Sequence, residues 1–185
     1  KIDRAVDSAL MLSETALMRG DRCGLGIFDD RILGFLPPQS GGQARHVILE
    51  SLYNVQSEFR ESNFSNMFSL LQTKQHKRTL MVIISDIVDC DTSDRFRSAL
   101  ASLARRHVVI FAALRTPLLN KYIRNEVEEY RDVTDKAVTL RLEKERERAL
   151  HSLRHAGINV IDVQPTDLTI PLINRYIELR ESNQL

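Results

Sequence analysis

Two apolar runs constrain this chain more than any other feature: Leu80 to Ile84, closed by Ser85 and Asp86, and His107 to Leu114. Neither run alternates apolar with polar residues, so neither suits a strand with one face in water. A run apolar on both faces fits a parallel strand covered by helices. Leu80 to Asp86 reads as the central strand, which puts Asp86 at its carboxyl end. That edge is where open α/β sheets place their ligand crevice.

With 185 residues, 43% of them hydrophobic, the chain can bury a full core and reads as one domain over residues 1–185. Its formal net charge of +1 gives no electrostatic footprint for nucleic acid or an anionic membrane. Cys23 and Cys90 are too few for a disulfide scaffold, lack metal-ligand spacing, and read as small buried hydrophobes. No apolar run approaches the roughly 20 residues that span a bilayer. A helix pattern begins almost at Lys1, with Asp3 placed as its N-cap, which suggests a fragment of a larger protein.

The first helix is predicted over Asp3 to Arg19, with Val6, Ala9, Leu10, Ser13, Ala16 and Leu17 at helical spacing and Gly20 as its stop. Cys23 to Phe28 reads as a buried strand. The Asp29-Asp30 turn joins it to Ile32–Leu36 as a hairpin at a sheet edge, and Pro37-Pro38 then breaks regular structure. Helices follow over Gln43 to Gln56 and around Phe64 to Leu71, and Lys74 to Arg78 read as a solvated basic turn. Beyond Asp86 come a helix from Thr92 or Ser93 to Arg105, the His107 to Leu114 strand, and a helix opening at Pro117. A long helix runs from Val133 to His155 with Leu140, Ala149, Leu150 and Leu153 inward, and Gly157 stops it. Within it, Arg141 to Arg148 sets opposite charges three apart, as on a solvated face. Ile158 to Val163 is the last strand, and a helix carrying Leu172 and Tyr176 closes the chain. This order predicts a doubly wound, mainly parallel α/β sheet with helices on both faces, whose first strand is missing from the chain.

Catalytic signatures are sparse. The glycine pairs Gly24 with Gly26 and Gly41 with Gly42 continue into no nucleotide fingerprint, and no G-x-S-x-G elbow occurs. His151 and His155 stand four apart on one helix, a zinc-compatible spacing, but no acid lies between them. Asp86 can cap its turn or supply an oxygen to a hard cation such as magnesium, and Ser62 can bring a hydroxyl to the same edge. Asp86, Asp89 and Asp91 together form an acidic loop that a metal-dependent hydrolase could use.

The segments Asp3-Arg4-Ala5-Val6, Arg19 to Leu25, Ser85-Asp86-Ile87, Leu153 to Gly157 and Asn174 to Ile177 resemble the bacterial domain-of-unknown-function family 58, a branch of the von Willebrand factor A-like domains. The resemblance implies a metal-ion-dependent adhesion site built from an Asp-x-Ser-x-Ser loop, a threonine and a strand-end aspartate. Asp86 matches the aspartate and Ser62 stands in the threonine's place, whereas the first loop has no counterpart in residues 1–185. Little metal affinity is therefore expected of this chain, and magnesium only of an intact site.

The resemblance further implies a non-enzymatic protein-interaction domain, cytoplasmic and part of a membrane-anchored bacterial protein. It would act with a MoxR-type AAA+ ATPase in assembly or maturation of other proteins. Strand edges left open by a missing strand would favour a homodimer.

Overall fold

The computed structural model describes residues 1–53, 55, 63–85, 93–115 and 130–182. Two compact units divide the chain, one of residues 1–79 with 166–185 and one of residues 80–165. The fold is mixed α/β, and its three-stranded parallel sheet is flanked by helices.

In the first unit, helix α1 spans Ile2–Met18. It starts one residue before Asp3, which lies in its first turn, where a carboxylate faces the positive end of the helix dipole. Gly20 ends α1 at φ +83°, and the Asp21 N–H then donates to the Ala16 carbonyl at 3.0 Å. That left-handed closure delivers the Asp21 carboxylate to the final helix, α6 (Thr169–Glu181). Tyr176 Oη donates to Asp21 at 2.6 Å and Arg180 Nε at 3.0 Å. Burial would raise the Asp21 pKa, but these hydrogen bonds and the Arg180 charge hold it below the ordinary value. Ser8, buried in α1, meets Thr169 Oγ1 at 2.8 Å and so fixes the other end of the helix pair.

Strands β1 (Cys23–Phe28) and β2 (Ile32–Gln39) form an antiparallel hairpin, closed by the Arg31 N–H donating to Asp29 Oδ1 at 2.9 Å. Three expectations change here. The hairpin is a two-stranded sheet of its own, β1 is half-exposed rather than buried, and β2 runs on through Pro37-Pro38. Among the described residues β2 is paired along one side only, so a proline's missing N–H interrupts no second ladder there. Helices α2 (Gly41–Tyr53) and α3 (Phe64–Lys74) complete the unit, burying Ala44, Ile48, Leu52, Met67 and Phe68.

The second unit is built on β3 (Leu80–Ser85), β4 (Val108–Leu114) and β5 (Asn159–Val163), paired in parallel in the order β3-β4-β5. Among the described residues the centre is therefore β4, buried at all seven positions, and not the Leu80 run, which pairs on one side. Composition alone cannot rank two apolar runs, since both suit a parallel strand. Helix α4 (Ser93–Ala104) packs on β4 and α5 (Tyr130–His155) on β5, with Phe96 edge-on to Phe111 at 5.5 Å. Gly157, at φ +81°, stops α5 and lets the Ile158 N–H reach the Leu153 carbonyl at 3.2 Å. Leu140 was expected inside but is 51% exposed, while Thr139 is buried. The helix expected at Pro117 lies outside the described residues.

His107, immediately before β4, is buried, and among the described residues its Nδ1 has no hydrogen-bond partner. Burial, with the Arg106 charge behind it, depresses its pKa below the ordinary imidazole value. The unfolded chain thus takes up a proton that the folded chain resists. The stability contributed by this neutral ring is complete above the unfolded pKa of about 6.5 and is lost as pH falls through the folded value. Urea unfolding at about pH 7.5 and about pH 5.5 checks this: His107→Leu should flatten the acid-side fall of the midpoint, and an unchanged fall would contradict it.

Candidate functional site

The parallel register lines up the strand ends. Ser85 lies opposite Ala113, and Ala113 opposite Asp162, so the carboxyl edge of the sheet is one continuous row. Arg115 follows β4, and its N–H donates to the Val163 carbonyl at 3.0 Å, extending the ladder by one bond. Two residues past Ala113, it shares a sheet face with Asp162 and meets it diagonally. Arg115 Nε donates to Asp162 Oδ1 at 3.2 Å and Nη2 to Oδ2 at 2.9 Å, a two-pronged grip that fixes the guanidinium plane. From α5, Arg146 Nη2 donates to the same Oδ1 at 2.7 Å.

One carboxylate thus holds two arginines of different exposure: the side chains of Arg115, Asp162 and Arg146 are 43%, 16% and 9% exposed. Burial alone would raise the Asp162 pKa. Hydrogen bonds from Arg115 and Arg146 outweigh it and keep the carboxyl below the ordinary aspartate range. Glu143 and Glu147 of α5 also act on Arg115, so by formal charge three carboxylates surround the two arginines, of which Arg115 is the more exposed.

Asp86 and Ser62, the residues that the sequence offers to a cation, lie outside the described residues, as do Asp89, Asp91 and Cys90. Among the described residues no group of three or more histidine, cysteine or acidic side chains could hold a metal. Nor does any described helix have the length and apolarity to cross a membrane. Cys23 is half-buried, its thiol donating to the Ser13 carbonyl at 3.6 Å, and burial, then the Asp21 charge, pushes its pKa up to about 11. Such a thiol is a poor nucleophile near neutral pH.

The charged stretch Arg141 to Arg148 differs from the expected uniformly solvated face. Arg141 pairs with Glu145 at 3.0 Å near the surface, but Arg146 turns inward to Asp162. Sequence reasoning passed over Arg115 and Asp162 altogether. The available signal was one acidic residue in the apolar run Val160 to Val163, which a buried partner has to neutralise.

Residues 1–121 match a family model whose description is "Protein of unknown function DUF58". No curated protein and no solved structure matches the chain. The family match takes in Arg115 and ends before Arg146 and Asp162.

The exposures of the two arginines set the expected mutational costs. Asp162→Asn removes the anion facing buried Arg146 and should cost about 3 kcal/mol of unfolding free energy. Arg115→Ala removes a half-exposed partner and should cost about 1 kcal/mol or less. Chemical denaturation measures both, and equal costs would contradict the assignment of Arg146 as the structural arginine.

Proposed function

The chain belongs to the DUF58 family, and from that premise we propose that it is a non-catalytic protein-interaction module of von Willebrand factor A-like plan, docking a protein partner at the carboxyl edge of its parallel sheet. The carrying observation is Arg115, held by Asp162 through two hydrogen bonds while its side chain remains 43% exposed. A guanidinium has five N–H donors, and this carboxylate engages two of them. An arginine held in one pose loses less entropy on meeting a partner's carboxylate than a free surface side chain, so the contact is preorganised.

The proposed setting is the cytoplasmic part of a membrane-anchored bacterial protein. The proposed partner is a MoxR-type AAA+ ATPase, working with it in assembly or maturation of other proteins. This reading requires no bound cation.

Co-precipitation of the chain with such an ATPase tests it. Arg115→Glu should lower capture at least tenfold, the scale of about 1.4 kcal/mol expected for reversing a preorganised charge contact. Lys74→Glu, at the exposed last residue of α3, should leave capture unchanged. Equal capture by the Arg115→Glu variant and the parent would contradict docking at this edge.

A further inference from the structure

We propose that His151 and His155 form a two-nitrogen chelate for a borderline divalent transition-metal ion, of the zinc and nickel class, on the last turns of α5. The two Nε2 atoms lie 3.3 Å apart, with ring centroids at 4.4 Å. Imidazole nitrogens bind zinc at about 2.0–2.1 Å in tetrahedral geometry, so two nitrogens on one ion stand roughly 3.3 Å apart. The two nitrogens, now in mutual hydrogen-bond contact, therefore already have the separation that a shared ion demands, and ring rotations that aim both lone pairs at an ion in place of the shared proton need no change in helix geometry. Both residues are exposed, which gives an ion access and leaves its other coordination positions to water.

The location helps as well. His155 is the last residue of α5, where the helix dipole favours positive charge. Arg154 lies beside it in the same turn and opposes a cation, which keeps the affinity modest. Nitrogen donors also choose the ion: imidazole suits zinc, nickel and copper, whereas magnesium prefers oxygen ligands. This pair is separate from the strand-edge residues Asp86 and Ser62, both in sequence and in donor type.

The other described histidines make natural controls. His46 pairs with Glu50 at 3.2 Å, His76 is exposed in the loop after α3, and His107 is buried. Calorimetric titration of the chain with nickel chloride should show one saturable equivalent with micromolar-order affinity. His151→Ala and His155→Ala should each weaken it by about tenfold or more, as one of two protein ligands is lost, and His76→Ala should leave it unchanged. Because a ligand that binds only the folded helix raises stability, nickel should also raise the unfolding temperature of the parent and not that of His151→Ala. Either of two results would overturn the proposal: no saturable uptake by the parent, or uptake that survives both histidine substitutions at full affinity.

Discussion

A carboxylate removed from water must be compensated, and at Asp162 that requirement governs how the carboxyl edge of the sheet is put together. Its partners come from two directions: Arg115 from the residue after β4 and Arg146 from α5. The first ties neighbouring strand ends, and the second ties the helix to the strand it precedes. An apolar residue in place of Asp162 could fill the space, but it would leave the Arg146 guanidinium without this anion in a position 9% exposed. The arrangement trades desolvation of one carboxylate for a fixed geometry, a use of buried polar groups that favours one packing over its alternatives.

The cluster can form because the backbone delivers its members. β4 is buried at all seven positions, and its parallel register with β5 sets Ala113 opposite Asp162. Gly157 turns the chain sharply from α5 into β5, so Arg146 and Asp162 meet although only 16 residues of sequence, most of them helical, separate them. In the other unit, Gly20 plays a similar part by placing Asp21 against Tyr176 and Arg180. In both places a left-handed glycine positions a carboxylate, and arginine completes it. The proposed docking role draws on the first of these, since Arg115 combines a fixed pose with exposure.

Much of the architecture was legible in the sequence because local rules govern it. Apolar periodicity and the glycine stops placed α1 and α5 to within a few residues, and the bounds Cys23–Phe28 of β1 agree with the expected strand. What escaped depended on pairing. Pro37-Pro38 read as a break, but a strand paired on one side accommodates them. The Leu80 run read as central, but strand order follows from which edges meet, and β4 holds the middle of the described sheet. Leu140 and Arg146 exchanged their expected places because helical periodicity drifts along 26 residues and a partner on β5 captured the arginine. Arg115 and Asp162 stand 47 residues apart, so no local pattern linked them, whereas the histidine pair was visible as a spacing and needed the structure only for its separation.

The central claim is that Asp162 organises this edge through a buried arginine and displays an exposed one. Its most direct test is a pair of double-mutant cycles in unfolding free energy, Asp162→Ala crossed with Arg146→Ala and with Arg115→Ala. The account predicts a coupling of about 1–3 kcal/mol for Arg146 and no more than about 1 kcal/mol for Arg115. Coupling near zero between Asp162 and Arg146 would contradict it.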